Sequence, residues 1–235
     1  LTSGVLSFGS GGVLYRANMG SPGQNATNLV RVKEGEKLGQ LWGPVQVGIL
    51  DNGTPEFKDI DGDGTFCDCD DDRTVVGNGL PAFTFGFNNS FTYKNFDVNL
   101  FFRGAVGHDL YNSYRGFYEN TQGTTTDNYN VVKIKDAKVN SSHVEKADFI
   151  KLDNATVGYR VNLAPGSAFS NFRVYLSAQN PFVVTGYTGI DPEVRFVDSF
   201  DDSNDNNDDP LAPGIERRVT YFTTRIFTFG INLGF

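Results

Sequence analysis

Cysteine and histidine, the side chains most used in nucleophilic, redox and transition-metal chemistry, number only two each among 235 residues. Cys67 and Cys69 lie too close together to staple a fold, and no C-x-x-C, H-E-x-x-H, P-loop or G-x-S-x-G motif occurs. His108 and His143 stand apart from any nucleophile or ligand set. These absences argue against an enzyme and against a zinc module. No apolar run approaches the roughly 18 residues that a membrane-spanning helix needs, and no signal peptide follows Leu1. Basic residues are outnumbered 28 to 20, for a net charge of −8. That balance argues against nucleic acid, whose phosphates call for a basic surface.

What the chain does have is phenylalanine, 21 residues of it, with 27 glycines and many Asn and Thr. Aromatic and β-branched side chains suit a pleated surface, so the composition favours strands and tight turns. Alternation confirms the period. Phe227, Phe229, Ile231, Leu233 and Phe235 share one face of the last segment, opposite Thr228, Gly230, Asn232 and Gly234. Phe83, Phe85, Phe87, Phe91 and Tyr93 do the same upstream, with Asn89 the one polar interruption. After Lys94-Asn95 the phase resets, and Phe96, Val98, Leu100, Phe102 and Val106 share a face, which predicts a hairpin. A further pair of strands is predicted over 154–163 and 171–179, joined by residues 164–170 with Pro165-Gly166. Leu38–Leu50 reads as a less regular strand with Pro44 inside it, and residues 1–8, 12–18 and 29–34 are weaker candidates.

The connections are lopsided. Lys94-Asn95 and Ala164–Ser170 are short, whereas residues 51–82, 107–153 and 180–224 are long and polar. Such loops are uncommon in compact domains. They are normal in outer-membrane barrels, where periplasmic turns are short and extracellular loops long. Phenylalanine-rich faces opposite small polar ones suit lipid outside and water inside. The three long segments are therefore expected on the cell exterior, and Phe83, Phe85, Phe87, Phe227, Phe229, Ile231 and Leu233 are expected to face lipid. The same alternation also fits a secreted β-sandwich with decorated loops.

Several blocks occur together in a distinctive order. They begin with Phe57-Lys58-Asp59-Ile60-Asp61-Gly62-Asp63-Gly64, Asp72–Asn78 as D-R-T-V-V-G-N, and Phe83–Asn89 as F-T-F-G-F-N-N. Phe96–Phe102 as F-D-V-N-L-F-F follows, with Gly107–Asn112 as G-H-D-L-Y-N, and then Ala147–Leu152 and Val157-Gly158-Tyr159. Asn180-Pro181-Phe182, Gly189–Val194 and the ending Arg225–Phe235 complete the series. From about residue 38 to the end, the chain resembles the carboxy-terminal part of SusC/RagA-type TonB-dependent transporters of Bacteroidota. Residues 1–37 match less clearly and are expected to hold upstream strands or loop of the same barrel.

The resemblance implies an all-β transmembrane antiparallel barrel of about 22 strands, of which these are the last. A small closed barrel of about eight strands is the rival architecture. The family's plug domain is not visible in the sequence. The resemblance also implies import of oligosaccharides or peptides across the outer membrane, with a SusD-like surface lipoprotein as partner. TonB would act through the absent plug region, and the barrel assembly machinery would engage a terminal aromatic, here Phe235. The alternative function is a secreted calcium-stabilised β-sandwich for adhesion or glycan binding. A third is a structural part of an envelope assembly.

The segment richest in chemistry is Asp59–Asp72. Asp59, Asp61 and Asp63 stand at positions 1, 3 and 5 of an EF-type loop, with Gly64 at 6, Thr65 at 7, Cys67 at 9 and Asp70 at 12. Alternate carboxylates converge on a hard cation while Gly permits the sharp turn, so Asp59, Asp61, Asp63, Thr65 and Asp70 are the candidate calcium ligands. Asp in place of Glu at position 12, and the lack of flanking helices, depart from that pattern. The Cys67/Cys69 pair either closes a small ring or leaves two thiols free, and soft sulfur beside hard oxygen is not a zinc set. Asp198–Asp209 carries six aspartates without motif spacing and reads as a solvated run. Tyr111, Tyr114, Phe117, Tyr118 and Tyr187 are candidates for ligand stacking or for loop packing.

Overall fold

The computed structural model describes residues 12–18, 27–119, 138–193, 211–217 and 220–235. Fourteen strands follow in order: β1 (Val13–Asn18), β2 (Asn28–Lys33), β3 (Gln40–Gly43), β4 (Gln46–Ile49), β5 (Pro55–Phe57), β6 (Thr74–Asn78), β7 (Phe83–Tyr93), β8 (Phe96–Val106), β9 (Asp109–Asn112), β10 (Val144–Lys146), β11 (Phe149–Arg160), β12 (Asn171–Thr185), β13 (Ile215–Glu216) and β14 (Ile226–Gly234). One short helix, α1 (Ser113–Tyr118), lies between β9 and β10. The residues divide into two compact units, and the sheet of long strands is one of them.

That unit comprises Ala82–Val106, Asp148–Gly186 and Phe222–Phe235. It is one antiparallel sheet of five strands in the order β14-β12-β11-β8-β7. The β7/β8 hairpin has the expected register, from Phe83↔Val106 to Tyr93↔Phe96, and Lys94 turns it at a φ of 53°. β14 pairs along β12 from Gln179↔Ile226 to Asn171↔Gly234. Sheet closure is not seen among the described residues, and β7 and β14 are its two edges.

Two strands are longer than their alternation predicts. β11 begins at Phe149 rather than 154 and ends at Arg160, and β12 runs on to Thr185 rather than stopping at 179. The register shifts between Leu152 and Asn154 against both neighbours. Asp153 is the extra residue of a bulge, and such an insertion resets the two-residue period that marks a strand in sequence. On β12, Asn180-Pro181 interrupts the pairing at the same level, with Asn180 at a φ of 48°.

The other unit gathers the described residues up to Pro81, Gly107–Ala147 and Tyr187–Tyr221. The described parts of the long connections are thus built structures. A sheet ordered β1-β2-β3-β6 and a smaller one ordered β10-β9-β13 bury Leu29, Val30, Val32, Leu41, Tyr111, Val139 and Ile215 in one core. The predicted Leu38–Leu50 strand is two strands, β3 and β4, broken at Pro44-Val45 where proline lacks the N–H a ladder needs. Segments 12–18 and 29–34 do contain strands, β1 and β2, while residues 1–8 lie outside the described set. Gly79 and Gly214 cross at this core. A Cβ built on Gly79 falls 2.4 Å from the Gly214 Cα.

Candidate functional site

The five-stranded sheet has two chemically opposite faces. One presents Phe83 (61% exposed), Phe87, Phe91, Tyr93, Phe96, Val157, Leu176, Phe227, Phe229 (68%), Ile231 and Leu233, all open to the surroundings. Phe85 is partly covered because it stacks on Phe83, with ring centroids 5.9 Å apart. The seven residues expected to face lipid are therefore on one surface. β7 has 11 residues. At about 3.4 Å per residue and a tilt of about 45°, it rises about 24 Å, close to the ~25 Å apolar band of an outer-membrane barrel. Aromatic side chains gather at the end holding the short turns. Phe96 and Tyr159 lie 4.7 Å apart there, and Phe235, 90% exposed, sits 5.3 Å from Phe169.

The opposite face is polar and self-bonded. Asn99 donates to Asn88 (3.2 Å) and Ser90 (2.8 Å), Thr156 and Ser177 share a hydrogen bond (3.0 Å), and Arg103 pairs with the bulged Asp153 (3.0 Å). Arg173 on β12 donates twice to Asp97 on β8, at 2.9 and 2.5 Å, across the intervening β11. Gly158 makes that reach possible. A Cβ at that position would fall 2.3 Å from the guanidinium. Gly230 serves Tyr175 in the same way, since a Cβ there would meet the phenol ring at 2.2 Å. The small residues of the polar face are thus room for long side chains that cross the strands.

In the acidic loop the structure brings Asp59 and Asp61 together with Asp72, their nearest carboxylate oxygens all within 4.8 Å of one another. Asp72 replaces Asp70 in the expected set. Its buried carboxylate accepts from the Ile60 N–H (2.7 Å) and the Cys67 N–H (2.6 Å), which aims it back at the loop. Asp70 instead accepts from the Tyr15 hydroxyl (2.5 Å) and the Trp42 indole N–H (3.4 Å). Asp63 accepts from the Thr65 N–H and hydroxyl (2.8 and 2.9 Å), so these two expected ligands bond to each other. Amides of Gly64 and Gly62 hold the Asp59 carboxyl below its ordinary pKa. At Asp61 the Asp63 N–H also favours the charged form, but desolvation and the carboxylates of Asp63, Asp59 and Asp72 outweigh it and raise the pKa. Cys67 and Cys69 form a disulfide immediately before the 3-10 turn that carries Asp72.

Other predicted positions are structural. Tyr111 is fully buried in the core. Tyr114, Phe117 and Tyr118 pack on one another at 4.6 and 4.9 Å. Tyr187 is buried and donates to Glu216 (2.8 Å), and burial with that carboxylate beside it raises the phenol's pKa. Both histidines are buried: His108 Nε2 lies 3.1 Å from the Pro192 carbonyl, and His143 Nε2 lies 3.6 Å from Glu119. The aspartates from Asp198 to Asp209 lie outside the described residues.

Two carboxylates that sequence reading passed over organise this unit. Glu145 accepts from Arg115 (2.6 Å) and from the Thr188 N–H (3.0 Å), and Glu216 accepts from the Asp191 N–H (2.7 Å). Together they hold the Tyr187–Asp191 loop by its amides. Burial opposes the charge of Glu119, but His143 and Arg115 outweigh it and bring its pKa to about 2. The two glycines of the G-Y-T-G-I-D run, which mark a loop whose amides need acceptors outside any strand ladder, are the one signal that could have pointed to these carboxylates.

Comparison with known proteins agrees with these features. No family model matches the chain. It is 30% identical over 243 residues to TonB-dependent receptor P3 of Formosa agariphila, covering 90% of this chain and 23% of that protein. It is 28% identical over 163 residues to TonB-dependent receptor SusC of Bacteroides thetaiotaomicron, covering 62% and 16% respectively. In fold it matches the RagAB peptide importer in its closed-closed state at a TM-score of 0.70 and 22% identity, over 97% of this chain and 25% of that one. The chain spans between 16% and 25% of the length of these relatives. In sequence and in fold it is a relative of the TonB-dependent receptors, with an all-β antiparallel sheet of their barrel type. Within that class its relatives include the SusC receptor, and its fold neighbours include the RagAB transporter.

Proposed function

We propose that the chain is the carboxy-terminal wall of a SusC-like transporter in the outer membrane of a Gram-negative bacterium of the Bacteroidota. The single observation that carries this reading is the long-stranded sheet with an open phenylalanine face and a self-bonded polar face, on a chain kin to TonB-dependent receptors. Hydrocarbon lipid would cover the aromatic face and the water-filled lumen the polar one. The connections before β7, between β8 and β11 and between β12 and β14, which leave the sheet at the end without short turns, would stand on the cell exterior. A SusD-like lipoprotein would cap the barrel there and hand over oligosaccharides or peptides. TonB would act through a plug region, and Phe235 would engage the barrel assembly machinery.

Calcium is proposed for the acidic loop, with Asp59, Asp61 and Asp72 as ligands, because three like charges this close favour a divalent cation. Titration calorimetry of the folded receptor checks this, and no calcium heat would remove it. The transport reading is tested by fractionation and uptake. The receptor should sediment with outer membranes, and uptake of labelled oligosaccharide or peptide should vanish when either the receptor or TonB is deleted. Recovery as a freely soluble secreted protein would refute it.

A further inference from the structure

Across the aromatic face of the five-stranded sheet, one mid-strand position is polar. Asn89 on β7 shares that face with Phe87 and Phe91 and lies opposite Leu100 of β8. The row continues through Ala155, Ala178 and Phe227, which are all apolar. Asn89 is partly exposed and makes no side-chain hydrogen bond among the described residues, whereas Asn88, on the other face, is bonded to Asn99. Six residues from one end of an 11-residue strand and four from the other, it sits near mid-height of the apolar band. An amide there cannot be left to hydrocarbon, because transfer of an unbonded amide out of water is costly and lipid tails offer no partner.

The fold indicates where the partner lies. Among the described residues β7 is an edge of the sheet, so one row of its backbone N–H and C=O groups has no strand beside it there. In a bilayer that row must be paired by another strand. A strand seated there places a side chain on the same face with its Cβ about 4.5–5.5 Å from that of Asn89, within reach of one hydrogen bond. We propose that Asn89 is one half of a polar rung within the barrel wall. The strand that pairs with the open edge of β7 carries an amide or hydroxyl side chain opposite Asn89, bonded to it and screened from lipid. This fixes the register of that strand, because a one-residue slip would turn its polar partner to the lumen. The inference rests on the membrane reading given above.

The test compares Asn89→Thr with Asn89→Val in the full-length receptor reconstituted in phospholipid vesicles. The two side chains have nearly the same shape and differ by one hydroxyl, and both suit a strand. The rung predicts that the Thr receptor resists urea better than the Val receptor, with an unfolding constant about threefold to tenfold smaller. It also predicts equal particle mass for both. A Val receptor as stable as the Thr receptor, or more so, would show an amide facing lipid and overturn the rung. A Val receptor that falls from two copies to one would place the partner on a second copy, which also overturns it. Wild-type receptor that never enters vesicles overturns the membrane reading and the rung together, so the two failures are distinguishable.

Discussion

Replacing Gly79 by alanine should unfold much of the unit that contains it, and the size of the effect follows from the crossing with Gly214. The added Cβ would lie 2.4 Å from the Gly214 Cα, 2.5 Å from its nitrogen and 2.5 Å from the Pro213 carbonyl oxygen. These are backbone atoms, so no rotamer change relieves the contact. Nor can either segment withdraw freely. The Gly79 N–H donates to the Gly39 carbonyl (2.8 Å), and the Gly214 carbonyl accepts from the Tyr111 N–H (2.8 Å). Overpacking costs about 1–3 kcal/mol. Losing one or two of these hydrogen bonds adds about 0.5–1.5 kcal/mol each. A total of about 2–6 kcal/mol is expected, a large part of the stability of a small unit. Gly166→Ala is the control. Gly166 has a φ of 84° but nothing within 4 Å of its Cβ position, so only the left-handed backbone is penalised, by about 1–2 kcal/mol. Protease protection and thermal melting of the intact receptor read both. Equal melting of the two variants would refute the crossing as a structural lock.

Gly158→Ala should displace Arg173 and weaken its bond to Asp97, by about 1 kcal/mol for a pair this exposed. In a double-mutant cycle the loss should nearly vanish in an Asp97→Ala background, and simple additivity of the unfolding free energies would contradict the strand-crossing role. Phe229→Arg should cost about 2–4 kcal/mol of barrel stability if that face meets the bilayer midplane, measured by urea unfolding in vesicles. Glu119 is held at about 2, below its ordinary value. Its contribution is therefore present above an unfolded pKa near 4.5 and is lost as pH falls toward 2. Acid melting of the wild type over that interval should be steeper than that of Glu119→Gln, and superimposable curves would rule the contribution out.

Much of the sheet was legible because alternation is a local signal. Phe83–Tyr93, Phe96–Val106 and the terminal strand each keep a period of two with few interruptions, so face and pairing follow from the residues alone. β11 and β12 were cut short in the reading because the bulge at Asp153 and the Asn180-Pro181 interruption break that period without ending the strand. The acidic loop was legible as a D-x-D-x-D-G start. Its third close carboxylate was not, because Asp72 is recruited through the amides of Ile60 and Cys67 rather than by motif spacing. The contacts of Glu145, Glu216 and Arg115 join residues up to 43 apart, and no local pattern marks them.

The medium against the phenylalanine face can be measured directly. Single cysteines placed in turn at positions 227, 228, 229, 231, 232 and 233 of the reconstituted receptor, each carrying a small fluorophore, can be exposed to phospholipids bearing a quencher on the acyl chain. A wall in the membrane predicts quenching that alternates, strong at 227, 229, 231 and 233 and weak at 228 and 232. Uniformly weak quenching along the strand would place those rings away from hydrocarbon and contradict the account.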